Sequence, residues 1–257
     1  MLSFASVTKV YDGVTVVDAV SVDAPERAFL AVIGESGSGK STLLKMVNRL
    51  VEPSAGRITW RGEDLADRDP VSLRRSIGYA FQGSGLFPHM TAAENVAVTP
   101  RLLGWSERRV AQRVEALLDQ VGLPVADYGA RHPHELSGGQ RQRVGFARAL
   151  AAETSLLLLD EPFGALDPVI RAGLQDDLKR LHATLGLTTV MVTHDMAEAL
   201  LLADSVAGMR GGRLIQAASP RAIAAAPADA YVASLIETPR RQAEALAALD
   251  AGVGAGG

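Results

Sequence analysis

Residues 34–42 read GESGSGKST and match the phosphate-loop pattern G-x-x-x-x-G-K-[ST]. The glycines let backbone N–H groups face phosphate oxygens, Lys40 places a positive charge on the β and γ phosphates, and Ser41 offers a hydroxyl group to Mg²⁺. The apolar run AFLAVIG precedes the loop, and KSTLLKMVNRL follows it. A buried strand that enters a glycine turn and a helix begins a parallel α/β sheet, so the stretch predicts an α/β fold with a nucleotide site.

The composition is that of a folded globular protein. The 257 residues are 47% hydrophobic, enough for a sizeable core, and include no cysteine, which excludes disulfides and thiolate metal sites. The opening residues, MLSFASVTKVYDG, lack the features of a secretory signal. The apolar run LLLL stops at Asp160, far short of the roughly 20 residues that cross a bilayer. We therefore expect a cytoplasmic protein that acts at a membrane only through a partner.

The charge balance argues against nucleic acid as a partner. The net charge is −3 and the isoelectric point is near 6.0. Binding to a phosphate backbone usually requires a basic face or stripe. We interpret arginine pairs such as Arg74 and Arg75 as solvated helix faces.

The order of patterns along the chain indicates one domain with an insertion. Short strands open the chain, a mostly helical region follows from about Ser72 to Ala152, and strand–helix alternation then resumes. Within the helical region, apolar residues recur at helical spacing between Ser106, a predicted N-cap, and Gly122, a predicted stop. We predict a nucleotide-binding domain over residues 1–237, with a helical subdomain at about 85–152. Residues 238–257 are expected to be a short, partly disordered tail.

Two acidic residues and a histidine follow predicted strands. The run LLLLDE delivers Asp160 to a strand end, where a carboxylate can hold Mg²⁺, and Glu161 beside it can polarise a water molecule for attack on the γ phosphate. His194 ends the strand TTVMVT, in a position to contact the γ phosphate from a neighbouring strand. Together with the Lys40 loop, these residues favour hydrolysis over mere binding.

The stretch LSGGQ at residues 136–140 is a second, incomplete phosphate site. A serine and two glycines open a predicted helix, and a helix N-terminus of this kind binds anions. No lysine lies nearby to complete the site. The chain thus carries two half-built phosphate sites, separated by about a hundred residues.

Taken together, these stretches resemble the nucleotide-binding subunit of an ATP-binding cassette (ABC) transporter over about residues 1–237. The matching features are the Lys40 loop, Gln82 after the strand IGYAF, LSGGQ, LLLLDE, ALD at residues 165–167, His194, and Tyr11 at the place of an adenine-stacking aromatic. The resemblance implies a P-loop core with a parallel sheet, an N-terminal antiparallel β subdomain and an inserted α-helical subdomain. In this family two subunits pack head to tail, and LSGGQ of one closes over the ATP of the other.

The resemblance also assigns roles residue by residue. It implies catalytic roles for Lys40, Gln82, Glu161 and His194, and Mg²⁺ ligation by Ser41, Gln82 and Asp160. ATP would contact Tyr11, Gly34, Glu35, Ser36, Gly37, Ser38, Gly39, Lys40, Ser41 and Thr42, with Val16 or Val17 packing below the adenine. Across the dimer, ATP would meet Ser137, Gly138, Gly139, Gln140 and Asp167. An isolated subunit should therefore hydrolyse ATP slowly.

Further stretches resemble the branch that energises import of glycine betaine, choline and related osmoprotectants. These are VNRL, DPVSLRR, GLFPHMT and DEPFGALDP. The implied partners are a second ATPase subunit, identical or different, integral membrane permease subunits and, indirectly, a substrate-binding protein, at the cytoplasmic face of the membrane. In this family the surface around FPHMTAAENV receives a permease helix, with Phe87, Pro88 and Met90 exposed. Gly83 and Ser84 follow Gln82 at places where close relatives often carry another glutamine and a branched apolar residue.

Three other interpretations of the sequence stay open. A soluble ABC protein that acts on DNA or ribosomes usually has two cassettes or long coiled-coil insertions, and the sequence shows neither. Another importer branch, for amino acids or sulfonates, or an exporter with separate subunits would share these motifs. A P-loop kinase or GTPase leaves LSGGQ unexplained.

Overall fold

The computed structural model describes residues 1–253 apart from residues 82, 84 and 165, and for residue 242 and residues 245–253 it describes the backbone alone. The predicted site residue Gln82, the neighbouring Ser84 and Ala165 of the ALD motif lie outside the described residues.

Ten strands and ten α-helices are present in the described part of the chain. The strands are β1 (Leu2–Tyr11), β2 (Val14–Ala24), β3 (Phe29–Ile33), β4 (Ala55–Trp60), β5 (Glu63–Asp64), β6 (Gly78–Ala80), β7 (Leu156–Asp160), β8 (Thr188–Thr193), β9 (Ser205–Arg210) and β10 (Arg213–Ala218). The helices are α1 (Lys40–Val47), α2 (Pro70–Ser76), α3 (Ala92–Leu102), α4 (Glu107–Gln120), α5 (Val125–Tyr128), α6 (Gly138–Leu150), α7 (Pro168–Leu185), α8 (Met196–Leu202), α9 (Pro220–Ala225) and α10 (Ala230–Val253).

The strands form two sheets. The first is antiparallel, with the order β2-β1-β4-β5, and the second has the order β10-β9-β3-β8-β7-β6. In the second sheet β9, β3, β8, β7 and β6 are parallel, and only β10 is antiparallel to its neighbour. Because parallel strands end at the same edge, the loops after β3, β8 and β7 lie side by side. The predicted α/β fold class, with its parallel core and N-terminal antiparallel sheet, is confirmed.

The parallel sheet separates two hydrophobic cores. Alternate residues of β3 point to opposite faces, so Phe29 and Ile33 enter one core while Leu30 and Val32 enter the other. The first core also takes up the apolar faces of the helices between β6 and β7, and the second contains α1 and the antiparallel sheet. A fully buried Leu or Ile contributes about 1.5–3 kcal/mol, which explains why strands buried on both faces appear in the sequence as unbroken apolar runs.

Helices α3 to α6 lie between β6 and β7, where the sequence predicts an inserted helical subdomain. The Oγ atom of Ser106 accepts a hydrogen bond from the backbone N–H of Arg109 and caps α4, as predicted. Helix α4 buries Val110 and Leu117 on one face, and Gly122 beyond its end has a φ of +69°. Helix α3 was not singled out by the sequence, and it packs against both α4 and α6.

The C-terminal part of the described chain forms one long helix, α10, which runs across the boundary predicted at residue 238. Tyr231, Val232 and Ile236 fix its first half to the core. The helix then continues past Pro239, because the alanine, leucine and glutamate residues that follow have high helix propensity. Residues 254–257, where disorder is expected, lie outside the described residues.

Candidate nucleotide-binding site

The phosphate loop lies between β3 and α1, and Lys40 is turned into it. The Nζ atom of Lys40 donates to the carbonyl oxygens of Gly34 at 2.7 Å and Glu35 at 2.8 Å, and more weakly to the Oγ atom of Ser38 at 3.3 Å. The side chain is buried, which lowers the pKa of Lys40, while the carboxylates of Glu161 and Asp160 oppose that shift. The lysine is thus held in place by loop carbonyls that a phosphate group can replace.

Two glycines of the phosphate loop lie in close contact with the backbone of neighbouring strands. Gly39 has a φ of +96°, and a Cβ atom there would lie 2.5 Å from the carbonyl oxygen of Val16. At Gly34 a Cβ atom would lie 2.2 Å from the carbonyl oxygen of Met209. The loop is therefore pressed between β2 and β9, and only glycine can occupy these two positions.

Asp160 lies at the end of β7 and accepts two hydrogen bonds. Its Oδ1 atom accepts from the Ser41 hydroxyl at 2.8 Å, and its Oδ2 atom accepts from the Tyr79 hydroxyl at 3.1 Å. Burial, together with the charge of Asp160, raises the pKa of Tyr79, so this hydroxyl remains a donor. A serine hydroxyl beside a carboxylate is a hard oxygen pair that fits Mg²⁺ when phosphate and water oxygens supply the other ligands.

Glu161 and His194 meet at the ends of β7 and β8. The Nδ1 atom of His194 lies 3.3 Å from the Oε2 atom of Glu161, and the Glu161 backbone N–H donates to the carbonyl oxygen of Val192 at 3.0 Å. Glu161 has a φ of +45°, a conformation that is uncommon outside glycine and that concentrates at functional sites. A carboxylate held beside a partly exposed imidazole can accept a proton from a water molecule.

Side chains behind His194 fix its loop. The Thr193 hydroxyl donates to the buried carboxylate of Glu198 at 2.6 Å and accepts from the Asp195 backbone N–H at 3.0 Å. Asp195 also caps α8 and lies 3.4 Å from a guanidinium nitrogen of Arg171. Burial raises the pKa of Glu198. These four residues were not found by sequence reasoning, because none belongs to a recognisable motif.

The stretch LSGGQ forms the start of α6. Ser137 caps the helix by accepting from the Gln140 backbone N–H at 3.2 Å, and the Gln140 side chain accepts in return from the Ser137 backbone N–H at 2.9 Å. Gly139 is buried against Ile170 of α7, where a Cβ atom would come within 2.5 Å. Asp167 caps α7 by accepting from the Ile170 backbone N–H at 3.0 Å. Between the described residues of this stretch and residues 34–42 no hydrogen bond is formed.

Tyr11 lies at the end of β1 with 42% of its surface exposed. The ammonium group of Lys9 is 4.7 Å from the ring centroid and is held by the carbonyl oxygen of Glu52 at 2.8 Å. Of the two valines predicted to pack below the adenine, Val17 is fully buried in the core, whereas Val16 is half-exposed. Val16 is therefore the one of the two that a ligand can reach.

The surface predicted to receive a permease helix borders a groove of about 440 Å³ between the parallel sheet and the helical subdomain. The lining includes Leu50, Phe81 and Phe87, and Arg148 holds one wall by donating to the carbonyl oxygen of Gly85 at 2.7 Å. Phe87 and Pro88 are exposed, as predicted, whereas Met90 is half-buried. The apolar lining suits an amphipathic helix.

Asn95 holds the segment of residues 87–91 in place through hydrogen bonds of its side chain. It is fully buried; its Oδ1 atom accepts from the Phe87 backbone N–H at 2.8 Å, and its Nδ2 atom lies within 3.2 Å of the carbonyl oxygens of Phe87, Met90 and Thr91. Nothing in the sequence indicates this role, because an asparagine inside a helix carries no motif.

Asn95→Ala is expected to lower the free energy of unfolding by about 2–4 kcal/mol, because it leaves more than one buried polar group unpaired at about 1–3 kcal/mol each. Urea denaturation measures this loss. The exposed Gln112 on α4 offers a control, since Gln112→Ala should change stability by less than about 0.5 kcal/mol. Equal stability of both variants would contradict the role of Asn95.

Comparison with known proteins identifies the family. Residues 17–164 match the family profile described as ABC transporter. The glycine betaine/carnitine/choline transport ATP-binding protein OpuCA of Bacillus subtilis is 48% identical over 241 residues, which are 93% of this chain and 63% of that protein. The glycine betaine uptake system ATP-binding protein YehX of Escherichia coli is 46% identical over 232 residues, 90% of this chain and 75% of that protein. The chain thus spans about three fifths of the length of OpuCA.

A solved structure shows the same fold. The dimeric structure of a post-hydrolysis state of the ATP-binding cassette MJ0796, bound to ADP and Pi, superposes with a TM-score of 0.76 at 31% sequence identity and covers 86% of this chain and 99% of that one. No helix in the described part of this chain is long and apolar enough to cross a membrane. The sequence match, the shared fold and the order of the motifs show that the chain belongs to the ABC transporter family.

Proposed function

We propose that this chain is the ATP-hydrolysing subunit of a binding-protein-dependent importer of osmoprotectants such as glycine betaine and choline. The observation that carries the ATPase part is the convergence of four groups at one edge of the parallel sheet. Lys40 follows β3, Asp160 ends β7 with Glu161 directly after it, and His194 follows β8. This arrangement provides a phosphate-binding cation, a metal-binding carboxylate, a base and an imidazole within one site.

The phosphate loop binds the β and γ phosphates. Lys40 leaves the carbonyl oxygens of Gly34 and Glu35 and donates to phosphate oxygens, which restore its hydrogen bonds and add an opposite charge. Residues 36–42 contribute backbone N–H groups or hydroxyls, and Tyr11 stacks on the adenine. Ser41 and Asp160 would hold Mg²⁺, which would neutralise part of the phosphate charge.

Glu161 acts as the general base. Its carboxylate takes a proton from the attacking water molecule, and His194 orients the carboxylate through its Nδ1 atom and contacts the γ phosphate. Gln82 is proposed to sense the γ phosphate.

Two subunits complete each ATP site. Ser137 is exposed at the capped start of α6, so its hydroxyl and the adjoining backbone N–H group of Gly138 can meet the γ phosphate bound by a partner subunit. Asp167 is also exposed and contributes to the same interface. The dimeric arrangement of MJ0796 supports this pairing, with a second copy or another ATPase subunit as the partner.

The proposed location is the cytoplasmic face of the membrane, where permease subunits bind the groove lined by Phe81 and Phe87. A cytoplasmic helix of the permease would bury these exposed aromatic rings, and Arg148 would hold the wall of the groove during docking. The substrate-binding protein acts on the opposite side of the permease and does not touch this chain.

The choice of cargo rests on the similarity to OpuCA and YehX, whose names both include glycine betaine. Uptake of labelled glycine betaine, choline and proline tests it, in cells that express the chain with its permease and binding protein. We expect betaine or choline uptake with the native chain and none with Glu161→Gln. If none of the three solutes moves while the purified chain hydrolyses ATP, the cargo assignment is wrong. If the chain hydrolyses no ATP with its permease present, the ATPase assignment is wrong as well.

A further inference from the structure

Helix α10 reaches the back of the phosphate loop through Tyr231. This tyrosine lies in the first turn of the helix and is 8% exposed. The guanidinium group of Arg210, the last residue of β9, lies 5.0 Å from the centroid of its ring. The ring is therefore fixed in the core, and the position of its hydroxyl follows from the position of α10.

The hydroxyl group of Tyr231 makes two hydrogen bonds. It accepts from the backbone N–H of Glu35 at 3.1 Å and donates to the carbonyl oxygen of Met209 at 3.2 Å. Burial raises the pKa of Tyr231, so the hydroxyl keeps the proton that it donates. Tyr231 thus joins the phosphate loop to the end of β9.

The N–H of Glu35 belongs to the same peptide group as the carbonyl of Gly34. That carbonyl oxygen accepts from the Nζ atom of Lys40 at 2.7 Å. Because a trans peptide group is planar, its C=O and N–H point in opposite directions. Tyr231 and Lys40 therefore hold the two sides of one peptide plane.

The other neighbours of this peptide leave it little room. Met209 lies so close to Gly34 that a Cβ atom at Gly34 would come within 2.2 Å of the Met209 carbonyl oxygen. The same Met209 oxygen accepts the Tyr231 hydroxyl. A peptide pressed against β9 on one side and held by Tyr231 on its N–H side keeps its carbonyl aimed at Lys40.

We propose that Tyr231 is a positioning residue for Lys40, and that α10 influences ATP affinity through the Gly34–Glu35 peptide group. The inference rests on the proposed ATPase function. When ATP binds, Lys40 exchanges the Gly34 carbonyl for phosphate oxygens, and the loop must keep its shape during the exchange. Without the Tyr231 hydroxyl, the Glu35 N–H loses its acceptor, the peptide is held from one side only, and the loop is less well organised for phosphate.

Tyr231→Phe tests the proposal, because it removes the hydroxyl and keeps the ring. The loss of the hydrogen bond to Glu35 is expected to raise the Kd for ATP by about 3- to 10-fold, measured by titration calorimetry on the full chain. The rate of hydrolysis at saturating ATP should stay within about 2-fold of the native rate, because the hydroxyl touches neither Glu161 nor His194. A purely structural role would instead lower stability and the rate together.

Tyr128→Phe is the matched control. Tyr128 is half-buried in α5, and the guanidinium of Arg131 lies 4.5 Å from its ring centroid, so the substitution makes the same chemical change at a tyrosine ring that also has an arginine beside it but lies in the helical subdomain. The ATP affinity of the Tyr128→Phe variant should equal that of the native chain. Native ATP affinity in Tyr231→Phe would overturn the inference and leave the ATPase assignment intact, whereas failure of the native chain to bind ATP would overturn the proposed function itself.

Discussion

Replacing Glu161 with Gln is expected to lower the rate of ATP hydrolysis by about 10²- to 10⁴-fold and to leave ATP binding intact. The amide keeps the size of the side chain and its contact with His194, but it does not accept the proton of the attacking water molecule. Turnover is measured by phosphate release at saturating ATP. Because the bound ATP persists, the variant should also accumulate as a dimer, which size-exclusion chromatography with light scattering detects.

Glu115→Gln provides the control for this experiment. Glu115 is exposed on α4, so the same chemical change at this position should leave turnover and oligomeric state as they are in the native chain. A native rate of hydrolysis in Glu161→Gln would remove Glu161 from the role of general base.

Lys40→Ala is expected to weaken ATP binding by roughly 30- to 4,000-fold, which corresponds to about 2–5 kcal/mol for the loss of a buried charge contact. The phosphate groups lose their main cation, and the carbonyl oxygens of Gly34 and Glu35 lose their donor. Calorimetry gives the affinity directly. Thermal unfolding without nucleotide should show a folded protein, since the removal of a buried ammonium group also removes its desolvation cost.

Lys45→Ala is the control on the same helix. Lys45 lies in the last turn of α1, away from the loop carbonyls that Lys40 contacts, and its removal should leave the ATP affinity unchanged. If Lys40→Ala binds ATP as tightly as the native chain, residues 34–42 are not the phosphate site.

The sequence was sufficient to predict the parts of the site that have a local signature. The phosphate loop follows from its glycine and lysine spacing, and β7 and β8 follow from the short runs LLLL and TTVMVT, which precede Asp160 and His194. The family followed from the order of the motifs, and the osmoprotectant branch followed from the stretches VNRL, DPVSLRR, GLFPHMT and DEPFGALDP. The comparisons support both. The individual roles of these residues in binding and catalysis stay predictions.

Residues that contact the site from elements far away in the sequence were not predicted. Tyr79 reaches Asp160 only because β6 pairs with β7, and Tyr231 reaches Glu35 only because α10 packs behind the phosphate loop. Asn95 was missed because its side chain acts by forming hydrogen bonds to the backbone of a loop that folds around it. Such contacts are set by strand order and helix packing, and neither has a periodic pattern in the sequence.

The place of β3 in its sheet has a consequence for biosynthesis. Both neighbours of this strand are translated long after it, since Phe29 pairs with Thr189 and Leu30 with Ser205. At typical rates of synthesis, the five buried residues of β3 leave the ribosome on the order of ten seconds before either neighbour. During this interval an apolar strand with two unpaired edges is open to association with other chains. Residues 34–42 are made early, but the nucleotide site exists only when the last third of the chain has emerged.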